Sequence, residues 1–226
     1  LFYFDFCKNI INGVVMSDYQ YQMSEKLIDS ISQNDISAVK AILKVPYYNS
    51  SILDKRQSFP LFFSTWCGKD EITKLLLDAG FDVNAIDEET GRTSIFNAES
   101  YKCMKDLIDA GADVNVQCNK HYNTVLHVKA LHLQTVNLIL ESGFNVQLKN
   151  NYGWNILHYH TSKNHYWLIN ALLNAGVDID DKTMDGLSVM DIAVHYEADE
   201  CCAILERFKL NQVTNNLSPN HEGLGL

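Results

Sequence analysis

Proline is scarce, with 3 residues in 226, and Lys plus Arg reach only 18 against 28 Asp plus Glu. The first scarcity excludes a Pro-rich linker or disordered architecture. The second leaves a formal charge of −10, a field that repels nucleic-acid phosphates and attracts basic partners. No apolar run reaches the ~20 residues of a membrane-spanning helix. The most apolar stretch, LFYFDFCKNIINGVV at residues 1–15, is interrupted by Asp5 and Lys8. No G-x-S-x-G elbow, H-E-x-x-H helix, P-loop or dinucleotide-binding glycine fingerprint is present, so the mechanisms those motifs support have no anchor. Cys7, Cys67, Cys103, Cys118, Cys201 and Cys202 show neither C-x-x-C spacing nor disulfide-scaffold density. Reduced, mostly buried thiols and a cytoplasmic setting are the expectation.

What the chain does contain is a repeat. The texts LLLDAGFDVNAID from Leu75, LIDAGADVNVQ from Leu107, LILESGFNVQLK from Leu138 and LLNAGVDIDDK from Leu172 share one pattern. Their glycines, Gly80, Gly111, Gly143 and Gly176, lie 111 − 80 = 31, 143 − 111 = 32 and 176 − 143 = 33 positions apart. Each follows an apolar run of helical spacing, such as Ile72, Leu75, Leu76 and Ala79, and so sits where a left-handed C-terminal cap is needed. The Asp and Asn that follow are placed to bond nearby backbone amides and close a turn. A second text recurs upstream of these helices: SFPLFFSTWCGK from Ser58, GRTSIFNAES from Gly91, YNTVLHVKAL from Tyr122, GWNILHYHTS from Gly153 and DGLSVMDIAV from Asp185.

These two texts resemble the G-x-T-P-L-H-x-A-A opening and the L-L-x-x-G-A-D-V-N close of an ankyrin repeat. Thr93, Thr124, Leu126, His127, Leu157 and His158 match directly, whereas Phe59 and Asn155 replace the threonine and only Pro60 keeps the proline. The resemblance spans residues 24 to 208 and implies an all-α ankyrin-repeat solenoid of about six helix-turn-helix repeats, two of them terminal caps. The expected divisions are an N-terminal extension at 1–23, a repeat domain at 24–210 and a flexible tail at 211–226. Met16, followed by SDYQYQMSEK, reads as a natural start, with the residues before it outside the expected native chain. The rival, a remnant signal segment, lacks a clear cleavage pattern. The third and fourth repeats are short: Thr93 to Gly111 is 18 positions and Thr124 to Gly143 is 19, against 21 for Phe59 to Gly80 and Asn155 to Gly176. The loss is expected between the paired helices, as tighter turns.

By the same resemblance His127 and His158 are structural groups tying neighbouring repeats together. Binding is expected on the concave surface and inter-repeat turns. There Tyr122, Tyr152 and Trp154 occupy turn positions, Arg56, Arg92 and His121 lie beside them, and Trp66, Tyr101 and His132 follow along the first helices. Tyr, Trp and Arg dominate interface energetics because they bury large areas with few rotatable bonds. The reading is a non-catalytic module, monomeric when free, that binds another protein, with no cofactor, metal, nucleic acid or membrane. Its finer forms are an inhibitor or immunity protein neutralising a basic toxin, or a pathogen effector binding a host protein. The rival from another class is an enzyme or metal-dependent sensor built on the His158–His165 cluster, where His158 and His160 cannot share a helix face.

Overall fold

Six helix pairs follow one another in the computed structural model, which describes residues 14–45, 60–129 and 131–217. They are α1 (Val14–Ser32) with α2 (Ile36–Leu43), α3 (Pro60–Trp66) with α4 (Asp70–Asp78), and a 3₁₀ turn (Ser94–Phe96) with α5 (Tyr101–Asp109). Then come α6 (Val125–Val128) with α7 (Leu133–Glu141), α8 (Ile156–Ser162) with α9 (Tyr166–Asn174), and α10 (Val189–His195) with α11 (Asp199–Leu217). The described residues contain no strand, only one antiparallel bridge between Lys182 and Ser188. The chain divides into two compact units at Lys120 and His121.

Each unit has two layers. In the first, α1, α3 and the 3₁₀ turn pack in succession, and α2, α4 and α5 do the same behind them. In the second, α6, α8 and α10 form one row and α7, α9 and α11 the other. A single pair has too little apolar surface to stand alone, so the core lies between pairs. Leu27, Ile31, Ile72, Leu76, Met104 and Leu107 are fully buried in the first unit, and Leu126, Ile139, Ile156 and Leu157 in the second. Each such Leu or Ile contributes roughly 2 kcal/mol.

The glycine text terminates the second helices as its pattern predicts. Gly80, Gly111, Gly143 and Gly176 have φ of 82°, 89°, 90° and 87°. Around three of them the chain reverses through bonds of the Schellman type, with Phe81, Ala112 and Val177 N–H donating to the carbonyls of Leu76, Leu107 and Leu172 at 3.1, 3.0 and 3.2 Å. The turn that follows closes on its own side chains: Asp82, Asp113, Asn145 and Asp178 accept from the backbone N–H two residues on. Asn84 then links one repeat to the next, its Nδ2 donating to Gly111 O at 3.0 Å and its Oδ1 accepting from Asp113 N–H at 2.8 Å.

The short repeats lose length from the first helix, not from the connection. Where α3, α8 and α10 have 7 residues, the 3₁₀ turn has 3 and α6 has 4. The link at 97–100 is longer than the one at 67–69, so the expectation of a tighter turn does not hold there. The two short first helices differ in their caps. In α6 the Thr124 hydroxyl meets His127 Nδ1 at 2.8 Å and closes a capping box. Phe96 stands where that histidine would be, and the Thr93 hydroxyl is buried with no partner among the described residues. At both ends of the array, helices run past the expected boundaries: α1 begins at Val14, across 23/24, and α11 continues to Leu217, across 210/211. No proline or glycine interrupts the sequence between Asp199 and Leu217.

Two stability measurements follow. Gly111→Val lowers the melting temperature at a cost of about 1–3 kcal/mol, entirely from backbone strain, because no heavy atom lies within 4 Å of the added Cβ. An unchanged melting temperature would mean that the repeat register is misplaced. Thr124→Val costs about 1–2 kcal/mol in denaturant titration, whereas Thr93→Val, which removes a hydroxyl that bonds nothing, is neutral or mildly stabilising. Equal losses at the two sites would contradict the capping argument.

Candidate functional site

The turns that join successive repeats are pinned to one another by backbone hydrogen bonds. Asn119 N–H donates to Thr90 O at 2.9 Å in the first unit; Asn151 donates to His121 O and Met184 to Tyr152 O, each at 3.0 Å, in the second. At the tip of each turn one residue has positive φ: Gly91 at 68°, Gly153 at 74° and Gly186 at 76°. A Cβ at Gly91 would lie 2.2 Å from Asn119 Oδ1 and one at Gly153 2.7 Å from Met184 N, so these two positions exclude any side chain. The fourth tip residue is Tyr122, with φ of 54°. A tyrosine in this conformation costs about 1 kcal/mol relative to glycine.

That strain presents an aromatic surface in the second unit. Tyr122 is 57% exposed and Tyr152 53%. The Tyr152 ring lies 5.8 Å from the half-buried His121 imidazole, at 31° to it, with the tyrosine hydroxyl 3.4 Å from Nδ1. Asn150 builds the turn beneath them: its Oδ1 accepts from Tyr152 and Trp154 N–H, both at 3.0 Å, while its Nδ2 donates to Asn123 Oδ1 at 3.0 Å. Trp154 is half-buried, its ring 6.4 Å from both His158 and Tyr196 and edge-on to the latter. Sequence reasoning missed Tyr196 and Met184. Tyr196 follows α10 outside both recurring texts, and only tertiary packing brings it to Trp154. Met184, 78% exposed, had a signal, since an apolar residue takes the turn position that Asn119 and Asn151 occupy in other repeats. His132 N-caps α7 on the connection after α6, away from these turns.

In the first unit the predicted residues stand apart. Arg92 is half-buried with its guanidinium 5.6 Å from the Phe96 ring centroid, a cation–π contact that occupies it within its own repeat. Trp66 is 69% exposed at the end of α3, 6.0 Å from Phe63, and Tyr101 opens α5 at 37% exposure. Arg56 lies outside the described residues.

The histidines serve the scaffold. His127 Nδ1 accepts from the Thr124 hydroxyl, so Nε2 carries the proton and donates to Trp154 O of the next repeat at 3.0 Å. In α8, Asn155 does the work of threonine: its Oδ1 accepts from Leu157 and His158 N–H at 3.0 Å and from the His158 ring at 2.7 Å, and its Nδ2 donates to Asp181 in the following turn at 3.2 Å. His160 is fully buried, with Nδ1 3.0 Å from His165 Nδ1, so the two rings share one proton between them. Among the described residues no three His, Cys, Asp or Glu side chains are grouped so as to hold a metal ion. No described helix is long and apolar enough to cross a membrane.

Burial pushes the His127 imidazole down to about 4, against the pull of the Trp154 carbonyl. Burial, and then the neighbouring imidazoles of His165 and His127, push His160 down to about 3. In the unfolded chain both titrate near 6.5. Between the folded and unfolded values the unfolded state binds the extra protons, so stability is full above pH 6.5 and declines as pH falls below it. The expected loss is roughly 2–3 kcal/mol for each of the two histidines by pH 4.5. His160→Gln removes about one proton from this dependence. Denaturant titrations of both proteins from pH 7.5 to 4.5 check it, and parallel stability curves would show that His160 is not held neutral by the fold.

Comparison with known proteins agrees with this architecture. The family model described as ankyrin repeats (3 copies) matches residues 94–183 and 124–216, together more than half of the chain. E3 ubiquitin-protein ligase KEG of Arabidopsis thaliana is 29% identical over 132 residues, a stretch covering 54% of this chain and 8% of that protein. Among solved structures, a chain from the complex of the Bd0816 predatory endopeptidase from Bdellovibrio bacteriovorus with immunity protein Bd3460 superposes with a TM-score of 0.72 at 21% identity. It covers 80% of this chain and 97% of that one. The ankyrin repeat domain of Bcl-3, a member of the IkappaB protein family, gives 0.71 at 22% identity, with coverages of 80% and 85%. The recurring caps, the Thr–His box and the matched repeats place the chain in the ankyrin-repeat family.

Proposed function

We propose that the protein is a non-catalytic binding module that engages a basic protein partner through the turn surface of its second unit, around His121, Tyr122 and Tyr152. The observation that carries this reading is Tyr122. It holds a left-handed conformation that glycine fills at three other turn tips, and it keeps 57% of its surface exposed. A large, rigid aromatic is the type of side chain that anchors an interface, and this one is more than half open to solvent at a strained turn tip. The charge of −10 favours a basic partner through long-range attraction.

Within that class, neutralisation of a partner as an inhibitor or immunity protein accounts best for the acidic balance. The fold shared with a chain of the endopeptidase–immunity complex supports the role as far as architecture goes. A cytoplasmic monomer when free is the corresponding state.

The partner is identified by affinity capture on the immobilised protein and binding is then measured by surface plasmon resonance. Tyr122→Gly combined with Tyr152→Ala retains the helical signal, since both side chains are more than half exposed. It weakens binding by about 2 kcal/mol or more, some 30-fold. Glu88→Lys with Glu89→Lys, at exposed positions on a first-unit turn, mainly slows association and flattens its salt dependence. Full-affinity binding by the folded double tyrosine variant would move the interface elsewhere and end this assignment.

A further inference from the structure

On the other row of helices in the second unit, away from the aromatic turns, α9 and α11 leave a groove of about 490 Å³. Its α9 wall presents Asn170 and Asn174, one helical turn apart. From α11 the groove is lined by the half-buried apolar side chains of Ile204 and Phe208 and by the exposed Arg207 and Asn211. The spacing 204, 207, 208 and 211 puts all four on one face of the helix. Among the described residues the side-chain amides of Asn170, Asn174 and Asn211 have no hydrogen-bond partner, and Arg207 has no carboxylate within ion-pair distance. Its neighbour on the helix differs: Lys209 is paired with Asp180 at 2.7 Å. Arg207 is exposed, so its guanidinium is open to a partner at the edge of the groove.

Carboxamides have a particular complementarity. Each offers one acceptor and two donors, which matches the C=O and N–H of a peptide unit. Residues four apart on a helix are separated by about 6 Å along its axis. Alternate residues of an extended chain are separated by about 6.6 Å. Asn170 and Asn174 are therefore spaced to clasp successive outward-facing peptide units of one extended strand. The alternate side chains of such a strand would point down onto Ile204 and Phe208. Arg207 offers a planar fork of donors matched to a carboxylate.

We propose that this groove is a second binding site, which takes an extended peptide segment of a partner protein carrying an Asp or Glu side chain opposite Arg207. It is independent of the aromatic turn surface and selects the opposite charge. The overall negative field slows the approach of acidic peptides, so the attraction acts at contact and the affinity is carried by the amide clasp and the Arg207 pair together.

The test is selection of a displayed library of random linear dodecapeptides on the immobilised full chain, followed by fluorescence anisotropy with the most enriched peptide. The expected pool shares an Asp or Glu at a fixed position. Arg207→Gln weakens the chosen peptide at least tenfold, Asn170→Ala with Asn174→Ala does so as well, and Arg207→Lys restores part of the loss. All of these positions are exposed or half-buried, so circular dichroism and melting temperature stay unchanged. The Tyr122→Gly/Tyr152→Ala variant binds the peptide within twofold of the unaltered protein, which separates this site from the one proposed above. An empty selection, a pool without acidic preference, or a peptide held equally by the groove variants would overturn the proposal. So would an Arg207-dependent dimer in sedimentation without peptide, which would give the groove to a second copy of the chain.

Discussion

The hydrogen bond from His127 Nε2 to the Trp154 carbonyl spans two repeats, and the imidazole that makes it is fully buried. Neither repeat has a core of its own, so the cost of burying that imidazole is met only when the next turn supplies the acceptor. The same carbonyl accepts from Asn150 N–H, which shapes the turn carrying Tyr152. Cap, inter-repeat bond and turn geometry thus form one network. Losing the histidine breaks it locally, as the third repeat shows: Phe96 takes its place and the Thr93 hydroxyl is left without a partner among the described residues. Asn155 shows a different substitution that keeps the network, because an amide reaches both the N-terminal amides of α8 and the Asp181 carboxylate of the following turn.

A scaffold whose stability is spread over such repeated bonds tolerates strain at its turn tips. Gly91 and Gly153 have no room for a side chain, whereas Tyr122 is accommodated in the same left-handed conformation with its ring largely in solvent. Exposed aromatic area, backbone strain and the tilted His121–Tyr152 pair coincide on turns held in register by backbone bonds, so this surface has a fixed shape.

The histidine-rich segment from His158 to His165 illustrates how a chemically suggestive cluster can be consumed by packing. His158 serves the α8 cap, and His160 is sealed against His165. With burial holding His160 at about 3, its ring is neutral across the physiological range, and its effect is a stability that depends on mild acid.

Much of this was legible in one dimension. The 31- to 33-residue glycine period, the apolar spacing before it and the Asp or Asn after it determine four of the second helices, their left-handed glycine caps and their side-chain-closed turns, because each depends on φ preference and local hydrogen bonding within a few residues. The exposed tyrosines at 122 and 152 could be picked out for the same reason, since a turn position follows from its neighbours. Other features were decided only when repeats stacked. Trp154 is drawn inward by Tyr196, 42 positions away in the chain, and Arg92 is taken up by Phe96. The length missing from the short repeats comes out of the first helix, and the groove between α9 and α11 draws its two walls from different repeats. Those outcomes turn on which side chains meet across an interface, and a sequence period specifies that an interface exists without specifying what fills it.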